Sequence, residues 1–417
     1  MTAMTDPCTG SRCSLLLASS LAVLSHAPLA ADTRTEVRVS AGVGVENNPF
    51  LTMDDDGDGA AVAAEISVEP TIYIENERTT FRLFGNARLR QFFNDYGTTD
   101  SVLLGADGST RLDERTNLAA AATFQTSRSA AQDVLLFGRP GLIGLEPGTL
   151  PDLPNVDPTI AGAPQRITVF GVNTNLERQL SPRDVGSVGV GFTDSRTEDD
   201  LGFDFRVVDL TLGYGRQLSE RTTLRGTVAL SQSDLVGETA GDAFSITPLV
   251  GVQQQISERL NWSAQVGVSY SRIEDGRGGE ITNTGLAFLL SGCRRGVNDA
   301  LCVSGQRQAR PTTFGGFGNT TGITVGYDRR LNRRDSFSVN ASYNRSDQIA
   351  GPLLLDETMS EDDQLIGVAG SFRREFTDRL SGFVNASYSK VTSDLFPDRD
   401  ANISGYVGVS YLFGRRR

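Results

Sequence analysis

Two groups of charged side chains in this sequence could do chemistry. The run Asp54-Asp55-Asp56-Gly57-Asp58-Gly59, followed by Glu65, fits the spelling of a calcium-binding loop, D-x-D-x-D-G-x5-E. Carboxylates Asp54, Asp56, Asp58 and Glu65 at those offsets can wrap a hard cation, with Gly59 supplying the sharp turn. No helical pattern flanks the run, and Glu65 already falls in an alternating stretch. An acidic surface loop that attracts divalent cations without a discrete site is therefore the competing reading. The second group is Arg82, Arg88 and Arg90, which share one side of an alternating stretch, set beside Glu65, Glu69 and Glu75 on the stretch before it. Such residues could form a charged lining that discriminates among solutes, or cross-strand ion pairs that stiffen a sheet. The change of sign from one stretch to the next favours the ion pairs.

Other chemistry is closed off by what a leader would remove. Arg12, the apolar run 15–24 and Ala27-Pro28-Leu29-Ala30-Ala31-Asp32 predict a secretory signal cleaved near Ala31, leaving a mature chain 32–417. The single histidine, His26, would depart with it, and so would Cys8 and Cys13. Without histidine there is no Ser/His/Asp or Cys/His nucleophilic site and no histidine-held metal. The remaining carboxylates show no constellation for acid and base catalysis, so an enzyme is not expected. Cys293 and Cys302 stay in the mature chain, an even pair in an exported protein, and read as a local disulfide within a long connection at 271–319. A net charge of −12 and the lack of a basic patch interleaved with aromatics exclude nucleic acid as a partner.

These residues sit on short stretches of strict period-two alternation. Val62, Ala64, Ile66, Val68, Ile72 and Ile74 form one face of 62–75, against Glu65, Ser67, Glu69 and Glu75. Alternation over a dozen residues argues for a half-buried strand; Pro70 predicts a bulge or local break within it. Between strands a tight turn recurs, as Glu77-Arg78-Thr79-Thr80, Glu114-Arg115-Thr116-Asn117, Pro182-Arg183-Asp184, Ser219-Glu220-Arg221-Thr222, Glu258-Arg259-Leu260-Asn261, Arg333-Arg334-Asp335 and Asp378-Arg379-Leu380. The alternate connections are longer and rich in Gly and Asp, above all 127–165 and 271–319. Seven tight turns plus two chain ends on one side predict about sixteen strands in an antiparallel up-and-down transmembrane β-barrel, with short periplasmic turns and long extracellular loops. Aromatics near strand ends, including Tyr73, Phe81, Phe93, Tyr214, Trp262, Tyr270, Tyr327, Phe337, Tyr343, Phe372, Tyr388 and Tyr411, suit the two membrane–water boundaries. A soluble β-sandwich also alternates, but it does not explain long connections on one side only. After the leader no apolar run approaches the ~20 residues that a membrane helix needs.

The last stretch, 403–413, alternates and ends in Tyr411-Leu412-Phe413, which resembles the signal that bacterial outer-membrane barrels present to their insertion machinery; Gly414-Arg415-Arg416-Arg417 trails beyond it. With its Ser-Glu-Arg-Thr-like turns, the whole mature chain resembles the β-barrel porin 2 family of proteobacterial outer-membrane proteins, some of which lie beside exopolysaccharide loci. That resemblance implies a barrel and a transport role, and no particular substrate.

The expectation is a bacterial outer-membrane, porin-like channel for passive passage of polar solute or polymer, with the link to exopolysaccharide export implied by the resemblance. The alternative is a plugged barrel that anchors a surface polymer or binds a partner through its long loops. No cofactor is expected beyond the calcium that Asp54, Asp56, Asp58 and Glu65 could hold. Partners expected are outer-membrane lipid and lipopolysaccharide, whose phosphates suit the guanidinium of arginine, and the barrel-insertion machinery. Lys390 is the only lysine, so arginine carries nearly all the positive charge.

Overall fold

The computed structural model describes residues 32–51, 60–93, 96–128, 166–198, 204–236, 241–274, 279–312, 316–350, 362–393 and 400–414. The expected leader, the triad Asp54, Asp56 and Asp58, and most of 127–165 lie outside them.

Strand β1 (Asp32–Glu46) opens the barrel and β18 (Asn402–Gly414) ends it. Between them run eight hairpins. The first four are β2 (Ala61–Glu75) with β3 (Thr79–Phe92), β4 (Thr98–Asp113) with β5 (Thr116–Ser127), β6 (Ile167–Gln179) with β7 (Asp184–Thr197), and β8 (Asp204–Ser219) with β9 (Thr222–Val236). The others are β10 (Asp242–Ser257) with β11 (Leu260–Glu274), β12 (Glu280–Arg295) with β13 (Asp299–Thr312), β14 (Gly316–Arg330) with β15 (Asp335–Ala350), and β16 (Asp362–Glu375) with β17 (Leu380–Ser393). Every strand pairs antiparallel with its neighbours in sequence, and β1 closes on β18 from Glu36↔Gly414 to Glu46↔Ser404. Closure of β1 on β18 removes the free edges that the first and last strands would otherwise present, which is the condition for strands to sit in lipid.

The count is eighteen, not sixteen. The two additional strands are β12 and β13, in the stretch expected to be the longest loop. Two features hid them. Leu286-Ala287-Phe288-Leu289-Leu290 is a continuous apolar run, so the alternation of β12 is blurred. Their turn, Gly296-Val297-Asn298, also lacks the chemistry of the other seven.

That chemistry is a polar acceptor two residues before an arginine. Asn76, Asp113, Ser181, Ser219, Ser257, Asn332 and Thr377 each accept, through the side chain, the backbone N–H of Arg78, Arg115, Arg183, Arg221, Arg259, Arg334 and Arg379. Such local bonds satisfy the turn's own donors. The carbonyl of that third residue then accepts an N–H from the next hairpin, for example Arg78 from Arg111, Arg221 from Gln255 and Arg379 from Leu412. Asn298 does the same for Arg330. The repeat is thus a backbone device that knits successive hairpins into a ring; among the described residues these bonds engage the backbone of the arginine and not its guanidinium.

The faces are inverted relative to a soluble protein. Val43, Val62, Leu104, Val190, Val266 and Val409 lie at least half exposed, whereas Arg90, Ser233, Ser346 and Asn402 are buried. Apolar surface of this extent on the outside, with polar groups within, calls for lipid as the outer solvent. Outward aromatics mark both ends of the band: Trp262 and Tyr270 on β11 are separated by about 27 Å along the strand, or about 20 Å of height at the usual tilt. Tyr73 is a correction to that set. It pairs with Arg82 on the inner face, and the Arg34 guanidinium lies 4.5 Å from its ring centroid. Pro70 breaks the β2–β3 ladder without a bulge: pairing stops at Val68↔Ala87 and resumes at Thr71↔Phe84 in the same register.

Candidate functional site

The polar inner wall is the candidate site. Its first arc, β1 to β4, carries charge. The inward residues of β2 and β3 fall opposite one another, Glu65 on Arg90 and Ser67 on Arg88, so opposite charges meet. Arg90 holds Glu65 at 3.0 Å and Glu46 of β1 at 3.1 Å, and Arg88 lies 3.7 Å from Glu65. Glu69 is held by Arg38 at 3.4 Å and takes the Asn86 amide at 3.5 Å. Arg82 turns to β4 instead, forking onto Asp107 from Nε at 2.9 Å and Nη2 at 2.6 Å. Glu65, Glu69, Arg82, Arg88 and Arg90 share this face, organised as a ladder of ion pairs.

Toward the end bearing the loops the ladder becomes a buried knot. Arg90 and Glu46 are at most 2 % exposed. The Tyr406 hydroxyl donates to Glu46, and the Tyr406 ring lies under the Arg90 guanidinium with 5.3 Å to its centroid. Residues just after β1 are tucked over this knot: the Asn48 N–H donates to Asn402 Oδ1 at 3.2 Å, and Leu51 is buried. Buried charges of this kind persist only when each is paired and hydrogen-bonded.

The opposite arc is hydroxylic. Inward positions of β9 to β18 carry Ser233, Ser245, Thr247, Ser269, Ser342 and Ser389 among others. Several pair across strands, as Thr247 with Ser269 at 3.0 Å and Ser381 with Ser410 at 2.8 Å. One arc of the interior is thus dominated by ion pairs, and the other is rich in hydroxyl groups, with charges such as Asp363 set among them.

A third element was invisible in the sequence. The β12–β13 ladder stops at Phe288↔Arg307, well short of the loop end of either strand. Beyond that point β13 leaves the wall and crosses the inner side of its neighbours. Ala309 is buried against Ala243 of β10 and Ile273 of β11. The side chain of Asn319 on β14 approaches Gly285 of β12 so closely that an added Cβ there would stand 3.5 Å from it. The fold back brings Arg310 within electrostatic reach of Asp209 on β8. Arg310 has the inward parity of β13 and is solvent-exposed. Sequence reasoning missed Glu46, Tyr406, Asp107, Asp209 and Arg310. Tyr406 alone carried a signal, being an aromatic on the inward parity of an otherwise Ser- and Gly-lined face.

Cys293 and Cys302 face each other directly across β12 and β13, bonded with S–S 2.06 Å and Cα–Cα 4.1 Å. Their setting is a hairpin stem near its turn, on the inner face, and not a loop. Glu65 sits in β2 with its carboxylate engaged by Arg88 and Arg90, so it would have to leave both to close a calcium shell with Asp54, Asp56 and Asp58. Among the described residues no cluster of three or more acidic, Cys or His side chains is arranged to hold a metal ion.

No protein-family model, that of the β-barrel porin 2 family included, and no curated protein matches the sequence. Solved structures of similar architecture include OccK2 (OpdF) of Pseudomonas aeruginosa in complex with glucuronate, at 12% identity and TM-score 0.42, covering 92% of this chain and 99% of that one. A BenF-like porin from Pseudomonas fluorescens Pf-5 aligns at 11% identity and TM-score 0.42, covering 92% and 99%. The FrpB iron transporter from Neisseria meningitidis aligns at 8% identity and TM-score 0.45, covering 92% and 83%. Likeness at this level is one of fold alone. By its own geometry, a closed antiparallel barrel with an apolar outer band and a polar interior, the chain is an eighteen-stranded barrel of the bacterial outer membrane.

Proposed function

We propose that the protein is a channel for passive passage of polar solutes across the outer membrane, with the turn end in the periplasm and the loop end outside. One observation carries this: eighteen strands enclose an interior lined by polar side chains, and at that strand number side chains cannot fill the space, so an aqueous path remains. Permeation then follows size and the field of the lining charges, without covalent chemistry. The ionic arc is self-neutralised by pairing, while Arg310 and Asp209 project from an inward-folded hairpin and the wall facing it. They are the charges best placed to bias passage. The hydroxylic arc offers donors and acceptors suited to uncharged, hydroxyl-bearing solutes, which supports a carbohydrate-type permeant and, through the resemblance to the porin 2 family, a part in exopolysaccharide export. The last strand, with Tyr411 and Phe413 outward, would serve as the insertion signal.

Planar bilayers seeded with the purified mature protein test this. Steady single-channel conductance is expected, and Arg310→Gln shifts selectivity toward cations while Asp209→Asn shifts it toward anions. The inward hairpin and the tucked segment after β1 favour one rival, a plugged barrel acting as a surface anchor or interaction protein. Silence of the native protein that persists after deletion of 129–165 would establish that rival instead.

A further inference from the structure

Where β13 leaves β12, the wall has a seam. From Glu280 to Ala287 strand β12 is bonded to β11 but has no β13 partner, and the seam starts at the level of Val266 and Leu286, both more than half exposed in the apolar band. Backbone N–H and C=O groups along such an edge are costly against hydrocarbon and call for a polar neighbour.

Beside the seam, on the outward face, lies a cluster that alternation alone does not explain. Arg307 donates to Thr321 at 2.8 Å and to Asp347 at 3.2 Å. Arg345 reaches Asp347 at 2.7 Å and Asp362 at 3.0 Å. Outward placement follows from register: Arg307 is opposite Phe288, and Arg345 is one inter-residue step of the same face beyond Tyr343, which pairs with Ile366. The hydrogen bonds of Arg345 to described residues both run from Nε, so its terminal nitrogens extend past the carboxylates, and its side chain is 42 % exposed.

We propose that this cluster is a docking site for the phosphorylated headgroup of an outer-leaflet glycolipid, seated against the seam. The match between the outward-reaching N–H groups of the Arg345 guanidinium and phosphate oxygens, as a charge-assisted pair, selects that occupant. The site stands where apolar wall gives way to polar rim, the depth of lipid headgroups, and a guanidinium whose terminal nitrogens are not taken up by the described residues can match two oxygens of a phosphate. Asp347 and Asp362 orient the two arginines and balance their charge. The acyl chains would lie along Leu286, Leu290 and Ile323, exposed apolar side chains below the cluster. The inference rests on the loop end facing outward, and does not depend on solute passage.

The test uses the full mature barrel in phosphatidylcholine nanodiscs doped with bis-phosphorylated lipid A, with bound lipid counted by native mass spectrometry. Retention of lipid A over its dephosphorylated form is expected, and Arg307→Gln with Arg345→Gln should lower it about tenfold, roughly the loss of one charged hydrogen bond. A second double variant, Arg196→Gln with Arg206→Gln, removes an outward cluster that has no seam and should change retention less than about twofold. Heat-modifiable gel migration establishes that each variant is folded; the comparison of the two lipids needs no variant. Equal retention of both lipids, equal loss in both double variants, or displacement by millimolar inorganic phosphate would each overturn the proposal, the last by revealing a free-anion site. Loss of lipid A retention with unaltered conductance, or the reverse, separates this site from the channel reading.

Discussion

Replacing Arg90 by methionine should be among the most damaging single changes in the barrel. Arg90 bridges two inward carboxylates, Glu46 at 3.1 Å and Glu65 at 3.0 Å, and also covers the Tyr406 ring. Glu65 would keep Arg88 at 3.7 Å, and Glu46 would keep the Tyr406 hydroxyl. Glu46, fully buried, would however lose the guanidinium 3.1 Å from its carboxylate. Stripping one partner from a buried ion pair costs about 3–5 kcal/mol, because the remaining charge is left uncompensated; the lost cation–π contact adds about 0.5–2 kcal/mol. Removing both charges together is far milder, since apolar or neutral groups of similar size do not need the pairing. Reversible urea unfolding in lipid vesicles is the assay, run on Arg90→Met, Glu46→Gln and the double variant. The double variant should recover at least half of the cost of Arg90→Met. An Arg90→Met barrel within about 1 kcal/mol of native, or single and double variants equally destabilised, would refute the reasoning.

Other expectations follow from the turns, the missed hairpin and the disulfide. Asn332→Ala removes the acceptor for the N–H groups of Arg334 at 2.8 Å and Asp335 at 2.9 Å, and should lower the unfolding free energy by about 1–2 kcal/mol. Arg334→Ala should be nearly silent in the same measurement, because the carbonyl that accepts from Glu375 is retained. Single cysteines placed at 301, 303, 304 and 306 should alternate in labelling: a water-soluble maleimide reaches Ser304→Cys and Gln306→Cys and spares the lipid-facing Leu301→Cys and Val303→Cys. Uniform labelling would mean that this stretch is a loop after all. Serine at both Cys293 and Cys302 should lower the urea midpoint by the equivalent of at most about 3 kcal/mol, and a reductant should then have no further effect; an unchanged midpoint would show that strand pairing alone holds the hairpin stem.

Much of this was legible before any coordinates. Alternation is a local property, set by the two-residue period of the extended chain, so Val62, Ile66 and Val68 could be assigned to one face and Glu65 and Glu69 to the other without knowing their neighbours. The same period placed Arg82, Arg88 and Arg90 on the inner wall. Parity puts Tyr73 inside too, opposite Arg82, and only the preference of aromatics for membrane boundaries points the other way. Alternation lost β12 and β13, because both faces of β12 carry leucine and the Gly296 turn has neither acceptor nor arginine.

Local pattern therefore determined the fold class, the two faces, and seven of the eight tight turns. Tertiary structure decided the strand number, the closure of β1 on β18, and which inward charges meet. Glu46 and Tyr406 are 360 residues apart in sequence and touch only because the ring closes. The partner of Arg82 depended likewise on cross-strand register, which put Asp107 opposite it. Arg310 shares the inward parity of Ser304 and Gln306, but only the parting of β13 from β12 folds it away from the wall. Closure, register and inward folding are properties of the whole ring, and no window of a dozen residues contains them.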